Sequence, residues 1–94
     1  MDVIFRVITT KEFKGDVFAL FPHDVANRFG HVTSYEHVGQ HSTADYNHCM
    51  KMSKPANESE YKDLKKELEN IGYNLNIVKR QNYNKWLESY NNLN

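Results

Sequence analysis

One cysteine, two prolines and four glycines are spread through 94 residues, and twelve basic side chains cancel twelve acidic ones. The lone Cys49 cannot close an internal disulfide, and no basic segment followed by an apolar run and a cleavage site is present, so a reducing, cytoplasmic setting is expected. Zero formal net charge leaves no global field to draw in a phosphate backbone, which disfavours nonspecific nucleic-acid binding. The longest uninterrupted apolar run is VFALF at 17–21, far short of the about 18 residues a membrane span needs, so no membrane partner is expected. No Walker sequence, G-x-G-x-x-G or G-x-S-x-G occurs. Standard phosphate loops and the nucleophile elbow are thereby excluded.

What is present is a chain with the makings of one core. Hydrophobic residues make up 39% and aromatic residues 13%, enough apolar area to offset the entropy of ordering a small domain. VIFRVI at 3–8 and VFALF at 17–21 read as strands joined through the turn residues Lys14-Gly15-Asp16, with Pro22 ending the second. Residues 22–30 show neither period and are expected to be a loop. HVTSYEHV at 31–38 alternates, with Val32, Ser34, Glu36 and Val38 on one face and Thr33, Tyr35 and His37 on the other, which predicts a third strand.

Asn57 followed three residues later by Glu60 is a capping box, and Tyr61, Leu64, Leu68 and Ile71 then recur at helical spacing until Gly72. A helix over 57–71 follows, its charged face including Lys62, Lys65, Lys66 and Glu67 left to solvent. YNLNIVKR at 73–80 predicts a strand, with Tyr73, Leu75 and Ile77 sharing a face. Tyr83, Trp86, Leu87, Tyr90 and Leu93 mark a second, peripheral helix within 82–94. The expected fold is a single α+β domain, a two-layer sandwich of order βββαβα with a mainly antiparallel sheet and one or two helices packed on it. Exposed strand edges in so small a sheet invite pairing with a second copy, so a homodimer or other homo-oligomer is an expected partner state.

Residues 30–49 carry four of the five histidines and the only cysteine. Three chemistries compete there. His31, His37, His41, His48 and Cys49 are donors that zinc accepts, and a metal set of His37, His41, His48 and Cys49 would need the chain to fold back at Gly39. On one straight strand His37 and His41 would stand about 13 Å apart, too far to share an ion. His37 and His41 would also serve as a general acid and base for metal-independent phosphodiester cleavage. The triplets His31-Val32-Thr33 and His41-Ser42-Thr43 resemble the paired H-x-T motifs of two-histidine phosphoesterases, but that family needs a larger bilobal fold and wider spacing. Cys49 lacks a Cys-His-Asn context and suits a small core residue.

Ligand binding without catalysis is the preferred reading. A turn at Gly39 allows close backbone approach, Gln40 offers a donor and an acceptor, His37 and His41 add donors, and Tyr35 offers a stacking ring. Ser42 and Asp45 add polar groups, though such residues equally build turns and caps. Arg80, with Arg6 and Lys79, would meet a phosphate if their strands neighbour the turn. The ligand set is therefore Tyr35, His37, Gly39, Gln40, His41, Ser42, Asp45 and Arg80, and the ligand class is a small, polar, nucleotide-like molecule. No cofactor is implied. Failing a ligand, the aromatic stripe Tyr83-Trp86-Tyr90 of the last helix would be the anchor of a partner-binding or self-associating protein.

The segment Tyr35-Glu36-His37-Val38-Gly39-Gln40-His41, followed by Lys54-Pro55-Ala56, Glu60-Tyr61 and Ile71-Gly72-Tyr73, resembles a family of small, mostly uncharacterised proteins of bacterial genomes and mobile elements. Its pattern is a Y-x-H-[VI]-G-Q-H segment, a helix ending I-G-Y and a strand like Asn76–Arg80. The resemblance spans roughly residues 3–80 and implies a single module. A mobile-element setting adds the expectation that the module sequesters a host signalling nucleotide.

Overall fold

The computed structural model describes residues 1–36 and 41–93. β1 (Asp2–Ile8) and β2 (Val17–Val25) form the antiparallel pair expected from their β-branched and aromatic content, in the register Ile4 to Leu20 and Phe5 to Ala19. β3 (Val32–Tyr35) and β4 (His41–Ala44) extend the sheet beyond β2. On the other side, β1 pairs antiparallel with β5 (Ser53–Pro55) through Arg6–Ile8 and parallel with β6 (Asn76–Ile77) through Asp2 and Val3. The strand order is β4-β3-β2-β1-β5, with β6 sharing the β1 edge.

Alternation along the strands makes two apolar faces. Val3, Phe5, Ala19, Phe21 and Tyr35 point to one side, where Leu64 and Leu68 of α2 (Glu58–Ile71) cover them. Ile4, Ile8, Phe18, Leu20 and Val32 point to the other, against Cys49 of α1 (Tyr46–Lys51) and Trp86 of α3 (Tyr83–Asn91). The fold is thus the expected α+β sandwich on a mainly antiparallel sheet. Its helices occupy both faces, which adds a third layer to the two expected.

α2 follows the sequence closely. The Asn57 side chain accepts from Glu60 N at 2.9 Å, the Glu60 carboxylate accepts from Asn57 N at 2.9 Å, and Gly72 terminates the helix at φ 120°. Tyr61 stacks on Phe5, with centroids 4.6 Å apart. Ile71, expected on the buried stripe, is 50% exposed because the stripe leaves the sheet at the helix end.

Other expectations need correction. β2 continues through Pro22 to Val25 instead of ending at residue 21, because a register irregularity between Phe21 and Val25 accommodates a residue with no N–H. The third strand is described over Val32–Tyr35, residues 37 and 38 of the expected strand lying outside the described residues, and the strand expected over 73–80 shortens to two residues, leaving Ile77 exposed. β4, α1 and β5 were not expected at all: HSTA lacks alternation, and α1 has only six residues.

Arg6 is buried on the apolar face that α1 covers. Its guanidinium donates to Ser53 Oγ (3.0 Å), to the Ser53 carbonyl (2.7 Å) and to the Met50 carbonyl (3.3 Å), so it ties β1 to the α1–β5 connection. Burial lowers its pKa, with Tyr46 and Cys49 pulling the other way. Among the described residues no helix is long and apolar enough to cross a membrane.

Candidate functional site

The antiparallel pairing of β3 with β4 sets Tyr35 directly opposite His41; the turn expected at Gly39 lies outside the described residues. Tyr35 is fully buried, and its hydroxyl donates to Glu67 Oε1 on α2 at 2.5 Å. His41 is exposed on the same face. Its ring stands edge-on to Tyr35, with centroids 4.8 Å apart at 63°, and its Nε2 shares a 2.8 Å hydrogen bond with the Tyr73 hydroxyl. Tyr73 follows the Gly72 stop and stacks on Phe21 at 5.1 Å, which fixes it beside the strand end. Two strands, one helix and the segment after it therefore converge on a polar, aromatic cluster of Tyr35, His41, Glu67 and Tyr73.

His37, Gly39 and Gln40 lie outside the described residues. The rest of the expected set is dispersed. Ser42 is one residue from His41 and so belongs to the opposite face, where it lines a cavity of about 140 Å³ with Ser34, Glu36 and Cys49. Asp45 caps α1, its Oδ1 accepting from Asn47 N at 3.0 Å and His48 N at 3.4 Å. Arg80 lies beyond β6, across the sheet from β4, in a shallow recess with Asp2 and His23. Arg6 spends its donors on internal carbonyls and Ser53.

Of the metal set, His48 is exposed near the end of α1 while Cys49 is buried in the core on the face away from His41. Burial, reinforced by Asp45 and partly offset by Arg6, raises the Cys49 pKa, which keeps it a thiol rather than a thiolate. Among the described residues no three His, Cys, Asp or Glu side chains group to hold a metal ion.

The aromatic stripe of α3 is largely spent on docking. Trp86 Nε1 donates to the Gly30 carbonyl at 3.1 Å, the Tyr90 hydroxyl donates to the Arg28 carbonyl at 2.9 Å, and Ser89 Oγ accepts from Val25 N at 3.0 Å. Tyr83 remains 65% exposed.

Two groups of interacting polar residues were missed in the sequence. By spacing alone Glu67 belongs to a solvated charge run and Tyr73 to a strand face; their distance from Tyr35 and His41 in the chain hides the cluster. The second group centres on Asp2, which accepts from Asn76 Nδ2 (2.9 Å), His23 Nδ1 (2.9 Å) and Lys85 Nζ (3.3 Å). His23 Nε2 in turn accepts from Asn82 N, the α3 cap, at 2.7 Å, which leaves the ring proton on Nδ1, facing Asp2. The Asn76 hydrogen bond, against the opposing effect of burial and with help from His23 and Lys85, holds the Asp2 carboxyl at about 2.

The chain matches no protein-family model, and no curated protein or solved structure is similar enough to it to count as a match.

Proposed function

We propose that this protein is a non-catalytic binding module that takes a small, planar, polar ligand of the nucleobase or nucleoside type at the end of the β3–β4 pair. The observation that carries the reading is His41: its ring is exposed to solvent yet held in place by the Tyr73 hydroxyl and the Tyr35 ring. A ring fixed before binding offers a stacking surface without the entropy cost of ordering a mobile side chain. His37 and Gln40, outside the described residues, are the donors expected from the sequence. Phosphate recognition drops out of the reading, because Arg6 is bonded internally and Arg80 lies across the sheet. A module that binds without turnover acts by holding its ligand out of circulation.

The test is calorimetric titration with the common nucleosides and their 5′-monophosphates, alongside an assay for turnover. One nucleoside should bind, its monophosphate no more than about twofold tighter, and His41→Ala should weaken it about tenfold. Unchanged affinity in both His41→Ala and Tyr73→Ala would remove the site. Turnover lost in His37→Ala and His41→Ala would replace binding by catalysis.

Self-association is the second reading. β4 is an edge strand whose residues His41, Ser42 and Thr43 are exposed and carry no formal charge with histidine neutral, so little guards it against pairing with another copy. Light scattering would show a dimer that Thr43→Lys converts to a monomer; a monomer at all concentrations would end this reading.

A further inference from the structure

On the face opposite His41, the β1–β2 connection, the end of β3 and the residue after α1 enclose a cavity of about 280 Å³ walled by Ile8, Phe13, Phe18 and Met52, with Asp16 and Glu36 also lining it. The cavity of about 140 Å³ that reaches Ser42 shares Ile8, Phe18, Glu36 and Met52 and so lies directly beside this groove. The larger cavity alone is close to the lower limit of about 300 Å³ for small-molecule sites.

Two further observations say what the groove fits. Phe13 is the non-glycine residue with positive φ among those described, at 63°, and its side chain is 66% exposed. Left-handed backbone is unfavourable for a bulky residue, and an exposed ring forgoes burial as well. Asp16 N donates to the Phe13 carbonyl at 3.0 Å and Gly15 N to the Ile8 carbonyl at 2.9 Å, and these bonds hold the turn that places the ring against the groove. The second observation is charge. Asp16 and Glu36 are both exposed, and neither carboxylate has an ion-pair or side-chain hydrogen-bond partner among the described residues. Lys11 and Lys14 belong to the same connection but do not line the groove. Apolar walls with two uncompensated carboxylates complement a molecule that is apolar along its body and positive at its end.

We infer that this groove is a second binding site, separate from the His41 cluster, for a small primary ammonium compound with an aromatic or alkyl body. The body lies between Phe13, Phe18 and Met52, and the ammonium meets Glu36 and Asp16.

Nitrogen-15 NMR titration of the whole chain with 2-phenylethylamine, 2-phenylethanol and phenylacetate tests it, since the three probes share a body and differ in charge. The amine should give saturable shifts centred on Ile8, Phe13, Phe18 and Met52, bind roughly five- to tenfold tighter than the alcohol, and leave phenylacetate weakest. Glu36→Gln combined with Asp16→Asn should bring amine and alcohol within about twofold of each other without weakening the alcohol. Phe13→Gly, which suits the positive φ, should raise the melting temperature while weakening all three probes. Equal affinity for the three probes, the absence of saturable shifts with the amine, or shifts mapping instead to Tyr35 and His41 would overturn the proposal. Loss of nucleoside binding in His41→Ala leaves this titration unaffected, so the two sites succeed or fail separately.

Discussion

Acid titration of Asp2 offers a direct measure of how firmly the two chain ends are tied together. Its carboxylate gathers Asn76 after α2, His23 on β2 and Lys85 on α3, and its pKa falls from an ordinary 3.8 to about 2. In the unfolded chain the group binds its proton near 3.8, whereas in the folded chain it does so only near 2. Between those values the unfolded state holds more protons, so stability drops as pH falls through the window and is fully present above it. The pKa difference corresponds to about 2.5 kcal/mol at most. Because the Asp2 side chain is 17% and the Lys85 side chain 59% exposed, solvent screening reduces the expected contribution to about 1 kcal/mol. Urea unfolding of the wild type and of Asp2→Asn at pH 7, 4 and 2.5 isolates the group from all other carboxylates. The wild type should exceed the variant by about 1 kcal/mol at the two higher pH values and by roughly half of that or less at the lowest. A gap that stays constant across the series, or that widens in acid, would refute the linkage.

Three other substitutions or treatments probe the frame around the sites. Gly30 has φ of 81°, and a Cβ there would lie 2.7 Å from Cζ2 of Trp86, so Gly30→Ala should cost about 1–3 kcal/mol and loosen α3, read as faster amide exchange over 83–91. Arg6→Met should cost about 2–3 kcal/mol in chemical denaturation, since it strips partners from the Ser53 and Met50 carbonyls in a buried setting. Cys49 should resist iodoacetamide at neutral pH in the native protein and react promptly in urea, because it is buried with a raised pKa; prompt native labelling would show that α1 opens readily.

How far the sequence revealed this fold depends on whether each segment carries its own burial pattern. α2 was readable because capping box, apolar spacing and terminal glycine all lie within the segment they define. β1 and β2 were readable from their β-branched and aromatic residues. β4 was not, since an edge strand with exposed His41, Ser42 and Thr43 needs no apolar alternation. α1 was hidden by its length: it rests on the Asp45 cap and the packing of Cys49, Tyr46 and Met50, with too few residues to show a period. Glu67 and Tyr73 carry no such local signal, because they meet Tyr35 and His41 through tertiary packing alone.

The same reasoning explains why the expected ligand set came apart. Residues adjacent in a strand point to opposite faces, so a crowded stretch of polar side chains is divided by the backbone itself. His41 joins Tyr35 on the α2 side, while Ser42 joins Ser34 and Glu36 on the α1 side. Asp45 is then drawn away by α1, which needs a carboxylate at its cap more than a site needs another polar group. The strand pair has an aromatic and imidazole surface on one side and an acid-lined apolar groove on the other, and the two proposals place one ligand class on each. For this reason one substitution on each face, His41→Ala and Glu36→Gln, should alter the response to one ligand class and leave the other unchanged, whereas a single shared site would make both substitutions affect both.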